Sequence, residues 1–402
     1  MGFFKTYFAK LERFKNERTA FYFFEAALSS CNRWGYLCGL SILSPDYKVV
    51  NFRLIYLTLF NIIFTFVNIY SVIQRTSLGM VEVFISSVTI GMTLQGLIKQ
   101  YTFAKHRKEI IGITESGIAL YNELQGEKIK KIARDIAFYG WMFIMHFLRY
   151  AYIGAVFLAV WAPSILSFFT GKPRELPLEI ELPFIDKNTE QGYWINFLYI
   201  CNAAAYELVG LQASDGFYLA LLLNAFTQLE NIFFELENLN RLVENETTND
   251  PKEVREKLKQ VLKLHQKYIK FIQHLNEMFL PYFSVNIVTM VYQIVVALFV
   301  IVTVNTKICA PILVFTGTSQ LFIICAVGTA LESKHEKLVR ATYDICWYNM
   351  EITERMKVKL MLQATQQDIY IEYLFGRLNL PLFMEIYKKI YSGLMMLVNR
   401  AE

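Results

Sequence analysis

Between Met278 and Leu331 the chain carries a single charged residue, Lys307. A helix that crosses a bilayer needs about 20 predominantly apolar residues, because the hydrocarbon core is about 30 Å thick. Residues 278–306 and 308–331 therefore read as two spans, and the lone lysine between them makes them antiparallel neighbours. Four earlier runs have the same character. Arg53 and Arg75 frame residues 54–74, and Glu82 and Lys99 frame residues 83–98, where Gly91 and Gly96 favour close helix contact. Residues 135–172 hold a third span interrupted by Arg149, and residues 191–214 a fourth interrupted by Glu207. A seventh segment, residues 378–399, belongs with the spans yet carries Glu385, Lys388 and Lys389. Charge inside a membrane is costly, so this last helix should face protein or water rather than lipid, which points to an aqueous path.

Composition agrees with an all-α, polytopic membrane protein of seven transmembrane helices. In 402 residues 54% are hydrophobic, too much apolar surface for a soluble domain. The 33 Phe and 24 Tyr are bulky enough to enclose an apolar cavity or to sit at the membrane interface, and counts alone do not choose between these roles. Lys and Arg concentrate before the first span, between the second and third, between the fourth and fifth, and over residues 334–359. The alternate connections are poor in them, including an acidic, proline-bearing loop over residues 163–191. By the positive-inside rule the N-terminus is cytoplasmic and the C-terminus extracellular. Apolar periodicity continues inward over residues 217–242 and 254–271, with a break at 245–251, and a further amphipathic helix is expected over 342–366. These three should form a cytoplasmic helical anchor bundle. The expected division is a six-helix transmembrane bundle at 1–335, and a cytoplasmic helix plus a final span at 336–402.

The orientation is opposite to that of a G-protein-coupled receptor. The outward 163–191 loop also lacks a cysteine for the disulfide usual in rhodopsin-like receptors. The sequon Asn245-Glu246-Thr247 falls on the cytoplasmic side, where it is not modified. Cys31, Cys38, Cys201, Cys309, Cys325 and Cys346 read as reduced packing thiols, without zinc-ligand spacing to the histidines. Neither a metal nor another cofactor is called for, and His106, His146, His265, His274 and His335 lie in no catalytic constellation, so the chain is not read as an enzyme. No inverted repeat favours a transporter, and no feature calls for nucleic acid. Phe3, Phe4, Tyr7, Phe8, Leu11 and Phe14, interleaved with charges, read as an amphipathic helix at the inner membrane face rather than a cleavable signal. Arg149 and Glu207 are candidates for a buried pair; a water-filled crevice beside Glu207 is the alternative.

The C-terminal third carries an ordered signature: Ala341-Thr342-Tyr343-Asp344-Ile345-Cys346-Trp347-Tyr348, then Lys359-Leu360-Met361-Leu362-Gln363-Ala364-Thr365-Gln366-Gln367, then Gly376, Phe383 and Tyr391-Ser392. It resembles the end of insect odorant receptors, in which a Tyr-x-x-x-Trp-Tyr element precedes a Gln-bearing helix end and a Tyr-Ser final helix. The chain departs from that pattern at Asp368, where Lys-Pro is frequent, and at Gly393-Leu394, where Tyr-Phe is usual. Gustatory receptors end in Thr-Tyr-x-x-x-Leu-x-Gln-Phe, which residues 392–400 do not supply, and the shared co-receptor is longer between its fourth and fifth helices. A gustatory-like ligand-gated channel stays the alternative, with a G-protein-independent transporter behind it.

The resemblance implies a ligand-tuned subunit of an odorant-gated, non-selective cation channel. It would assemble as a heterotetramer with the co-receptor Orco in the plasma membrane of a sensory neuron dendrite. Matching the last helix to the family's end places Met396, Asn399 and Arg400 toward a pore, with Met396 as an apolar gate closing by dewetting. Ordinary helix packing is the competing account of that stripe. Glu385 with Lys388 or Lys389 lines an inner vestibule or simply forms an intrahelical pair. The family's odorant site, between the second to sixth helices in the outer half, would involve Phe84, Val88, Tyr150, Gly154, Phe157, Trp161, Tyr199, Ala203, Tyr292, Val296, Phe315 and Thr318. Apolar burial would supply most of the affinity for a volatile ligand, and a hydroxyl such as that of Tyr292 or Thr318 the direction.

Overall fold

The computed structural model describes residues 10–48, 50–170, 176–178, 180–244, 250–304 and 309–401, and 85% of the chain is helical. The sequon at Asn245 and the connection at Lys307 lie outside the described residues, as do Phe3, Phe4, Tyr7 and Phe8. Residues 10–16 are helical, and Phe14 packs on Tyr22, Phe23 and Trp141 at ring separations of 6.4, 5.7 and 6.0 Å, so this part of the amphipathic segment docks on protein.

Helix α1, Ala20–Leu37, was not legible as an element because its aromatics are spread among polar residues. Thr19 caps it, its hydroxyl accepting from the Tyr22 amide at 3.2 Å. Its face of Phe23, Phe24, Ala27, Leu28 and Cys31 is buried. The first span is α2, Phe52–Arg75, started by Asn51, which accepts from the Leu54 amide at 2.9 Å. The second span is bent: α3, Met80–Ser87, gives way at Val88 and Thr89 to α4, Ile90–Lys105. At the bend the Thr89 hydroxyl donates to Asn68 on α2 at 2.5 Å. Directly after it, Gly91 lets α4 approach the fifth span so closely that a Cβ there would lie 3.2 Å from the Thr289 carbonyl oxygen. Helix α5, Arg107–Glu123, follows. The third span is α6, Glu127–Met142, then a π-helical turn at Phe143–Leu148, then α7, Arg149–Thr170.

The projections read from periodicity are continuous with their spans. Helix α8, Glu190–Glu244, has 55 residues, and α9, Pro251–Val304, has 54. At 1.5 Å per residue each is about 80 Å long, far beyond a bilayer's apolar core. Helix α10, Cys309–Tyr343, likewise runs on past its apolar stretch and straight through residues 335–336. Among the described residues five helices are long and apolar enough to cross a membrane; the bent second span and the charged last helix fall outside that measure.

The single amphipathic helix expected over 342–366 is instead two pieces. After Tyr343 the chain turns, with the Cys346 amide donating to Asn240 on α8 at 2.8 Å, and α11 begins only at Ile352 (Ile352–Thr365). A small hairpin pairs β1, Glu372–Tyr373, with β2, Gly376–Arg377, and leads to α12, Leu380–Ala401. Asp368, a departure from the family pattern, pairs with Arg377 of this hairpin at 2.8 Å. The start of α12 is pinned to α10: the Leu380 amide donates to Thr329 at 2.8 Å, and a Cβ on Gly328 would fall 1.8 Å from the Leu378 carbonyl oxygen.

The inner part, where α1, α5, α6, α11 and the projections of α8, α9 and α10 meet, is filled by one continuous core that includes Leu229, Ile232, Leu258 and Tyr268. The outer part has two small separate cores. Phe64, Val67, Val160, Leu176, Ile180 and Phe197 form one, and Val88, Val296, Val300 and Leu313 the other.

Candidate ligand cavity

Between the two outer cores lies a cavity of about 100 Å³, several times the roughly 10–15 Å³ that one water requires. Six spans contribute to it. Asn61 and Phe64 come from α2; Thr89, Met92, Thr93 and Gln95 from the bent second span; and Tyr152, Ala155, Val156, Ala159 and Val160 from α7. Ala203, Ala204, Glu207 and Leu211 come from α8, Gln293 from α9, and Ile312, Leu313, Thr316 and Gln320 from α10. The room exists because α7 and α8 present alanines here.

The loop after α7 covers this end. Leu178 lines the cavity, and Leu176 and Ile180 are buried in the adjoining core. The loop is tied to α2 by the Ser71 hydroxyl, which accepts from the Glu181 amide at 3.1 Å, and by Glu181 itself, 2.6 Å from Arg75 and 2.5 Å from Lys187. Asn196 of α8 accepts from the Leu182 amide at 2.7 Å.

At its inner end the cavity becomes polar. The buried Lys99 of α4 and the partly buried Asp215 of α8 form an ion pair at 3.0 Å. Tyr152 of α7 donates to the other Asp215 oxygen at 3.1 Å, Tyr282 of α9 also donates to Asp215, and Gln320 of α10 donates to Tyr152 at 3.4 Å. Gln95 donates to Thr289 of α9 at 2.8 Å. Helices from the second to the sixth span thus converge on one carboxylate. Hydrogen bonds to a desolvated charge offset part of the cost of removing it from water, and the two tyrosines supply them to Asp215. A second void, about 20 Å³, lies beyond Tyr152 and Gln320.

The Arg149–Glu207 pair expected from the sequence is not formed. Arg149 turns to α1, donating to Ser30 at 2.7 Å and lying 5.6 Å from the Trp34 ring, whereas Glu207 faces the cavity. The two side chains leave their helices in different directions, a relation that linear spacing across two helices does not carry.

Of the twelve residues named from the sequence, Ala203 lines this cavity. Val88 and Val296 are buried side by side in the neighbouring core, where Phe84 packs edge-on to Phe299 at 5.3 Å. Tyr199 packs at a tilt against Phe60 and Phe64, at ring separations of 5.6 and 5.5 Å. Tyr292 donates to Ser87 at 2.6 Å, and Thr318 bonds Tyr387 of α12. Tyr150, Phe157, Trp161 and Phe315 are exposed on the outside of the bundle, and a Cβ on Gly154 would meet open space. The face of α7 that meets the cavity is the Tyr152, Ala155, Val156 and Ala159 face, not the Tyr150, Phe157 and Trp161 face. Aromatic side chains fill or cover space, and a cavity is marked by small residues; the four-residue spacings Ala155–Ala159 and Ala203–Glu207 were the available signal.

The side of α10 turned away from the cavity meets α12. Besides the Thr318–Tyr387 bond, Phe322 packs edge-on to Phe383 at 5.6 Å. Ile386 and Ile390 anchor α12, while Tyr391, Met395, Met396 and Asn399 are exposed; the side chain of Arg400 lies outside the described residues. Glu385 and Lys389 form an intrahelical pair at 2.7 Å with both side chains more than half exposed. Among the described residues no cluster of three or more His, Cys, Asp or Glu has the arrangement of a metal site.

The family profile described as "7tm Odorant receptor" matches residues 79–391. An odorant receptor candidate of Drosophila melanogaster, 83c, is 21% identical over 270 residues, covering 64% of this chain and 68% of that protein. Odorant receptor 67c of the same species is 22% identical over 222 residues, 54% of each chain. Among solved structures, the olfactory receptor OR5 of the insect Machilis hrabei superposes with a TM-score of 0.74 at 14% identity, covering 91% of this chain and 96% of that one. Its complex with eugenol gives 0.75 at 13% identity over 94% and 99%. The fold is the all-α, seven-transmembrane arrangement of that receptor.

Proposed function

Because the chain belongs to the 7tm odorant receptor family of insect membrane proteins, we propose that it is a ligand-tuned, odorant-gated cation channel subunit, and that the cavity between the two outer cores is its ligand site. The observation that carries this reading is the cavity itself. It is largely apolar, it is covered by the loop after α7, and it ends on a network that joins five spans. The Machilis hrabei receptor in complex with eugenol, a small aromatic, supports a small organic ligand for this chain as well.

Gating follows from α10. It presents Thr316 and Gln320 to the cavity and Thr318, Phe322, Gly328 and Thr329 to α12. A ligand that binds more tightly when α10 shifts would bias α12 and thereby a pore, since a ligand moves an equilibrium only through differential affinity. In this reading four subunits, including the co-receptor, surround the pore in the plasma membrane of a sensory dendrite, N-terminus inside and C-terminus outside. Met396 and Asn399 then face the lumen, and their exposure in the single chain supports this. Arg400, four residues after Met396 in the sequence, belongs to the same proposed stripe. The residues of the sequence-based site that lie outside the cavity act through its walls: Val88 and Val296 from the adjoining core, Tyr292 through Ser87, and Thr318 through Tyr387.

Patch-clamp recording with and without the co-receptor, across a panel of volatile compounds, tests the function. Ligand-evoked current without added nucleotide or G protein is expected; substrate accumulation without current would favour the transporter reading. Changing Met396→Ser should raise basal current, and an unaltered closed state would remove Met396 from the gate.

A further inference from the structure

Taking the cavity as the ligand site, we infer that its preferred ligand carries a cationic, hydrogen-bond-donating head, as in a small apolar amine, and that Glu207 receives that head. Among the described residues Glu207 is the one acidic side chain in the cavity wall. Among the described residues it has no hydrogen bond and no ion-pair partner within 4 Å, and its oxygens are not among the buried polar atoms sealed from solvent-sized space. Its carboxylate therefore looks into the cavity. Opposite it α4 carries Gly96, whose Cβ position lies 3.6 Å from Glu207 Oε2, so no side chain from that helix caps the oxygen.

The charge count decides what fits. Among the described residues no Lys or Arg lines the cavity; Lys99 lies beyond its wall and is paired with Asp215 at 3.0 Å. With Lys99 and Asp215 paired to each other, Glu207 has, among the described residues, no cation within ion-pair distance. A ligand that fills the cavity must strip water from this carboxylate. A ketone or ester offers an ionised Glu207 no donor, so its binding must bear the cost of desolvating or protonating that carboxylate. An ammonium group replaces the lost water with charge-assisted hydrogen bonds, and its alkyl body meets Val156, Ala159 and Leu313 on the apolar wall. An alcohol, with a neutral donor, falls between.

Hexylamine, hexanol and methyl butyl ketone have the same number of heavy atoms and test this in cells expressing the full chain with the co-receptor. Whole-cell concentration–response curves should rank amine above alcohol above ketone. In Glu207→Gln the amine should lose about ten- to hundredfold in potency, the range of a hydrogen bond to a charged group, while the ketone changes little. Glu207→Asp, which keeps the charge, should retain the amine preference, and surface labelling confirms that each variant reaches the membrane. A ketone as potent as the amine in the unmodified chain, or a rank order indifferent to Glu207→Gln, overturns the inference. Ala159→Phe separates this from failure of the site: ketone responses abolished by Ala159→Phe with ranks blind to Glu207 sink the charge reading alone, whereas responses untouched by Ala159→Phe sink the cavity as the ligand site.

Discussion

The inner and outer ends of this bundle are built from the same long helices and packed to opposite ends. Inside, α8, α9 and α10 run on beyond the bilayer's reach and close around one continuous core with α1, α6 and α11. Outside, the same helices separate into two small cores with a cavity between them. Close packing transmits displacement and resists it, whereas a void lets its walls move. The contrast teaches that the inner bundle is the fixed base and the outer half the deformable part, with the Lys99–Asp215 network as the joint between them.

The largest expected effect comes from breaking that joint. Asp215→Ala leaves Lys99 buried without its counter-ion and strips two tyrosines of their acceptor, at a cost of about 3–5 kcal/mol. Thermal unfolding of the purified protein should fall sharply; a melting temperature within a degree or so of the unmodified chain would show that the network is peripheral. Next is a probe of the base. Leu258→Ala, at a fully buried position, should lose about 2–5 kcal/mol and lower the yield of folded protein. Its outer counterpart Leu313→Ala merely enlarges an existing void and should alter ligand ranking more than stability. Equal destabilisation by the two would erase the distinction between the halves.

The base was legible in the sequence and the deformable half was not, for a physical reason. Apolar periodicity such as Leu258, Val261 and Leu262 reports which face of a helix is buried, and burial is what builds the inner bundle. A cavity is a place where burial fails, and it is set by Ala155, Ala159, Ala203 and Ala204, which also read as ordinary helix formers. The charges told a similar story. Glu207 and Arg149 stood out along the chain, but only the direction in which each side chain leaves its helix sends one to the cavity and the other to Ser30 and Trp34 on α1. Helix α1 was missed because its buried face is interleaved with Glu25, Asn32 and Arg33. The break at Asp344 was missed because Tyr343 to Ile352 keeps enough apolar residues to imitate a helix; its turn is fixed by Asn240, more than a hundred residues away in sequence.

Two smaller effects sharpen the contrast. Tyr387→Phe removes the Thr318 bond between α10 and α12, a net loss of about 0.5–1.5 kcal/mol, and should loosen the link between ligand and pore. Slower or smaller currents at unchanged ligand potency are expected; wild-type gating would take that bond out of the coupling. The smallest effect is one of pH on the base. Burial, and then the charge of His335, pushes His265 down to about 4 from its usual 6.5, and burial also lowers His335. Each binds its proton less readily in the folded chain than in the unfolded one, so the unfolded chain takes up protons first, and for His265 stability drains away as pH falls from about 6.5 towards 4. Melting temperature measured against pH should decline over that window, and His265→Phe should flatten the decline.

The claim on which the rest depends is that ligands act from the space between the two outer cores, and Ala159→Phe tests it most directly by filling that space. Whole-cell concentration–response curves for an activating volatile should shift by about tenfold or more, roughly 1.4 kcal/mol of binding, while ion permeability ratios and surface expression stay as they were. Unchanged potency in a variant that reaches the surface would contradict the account.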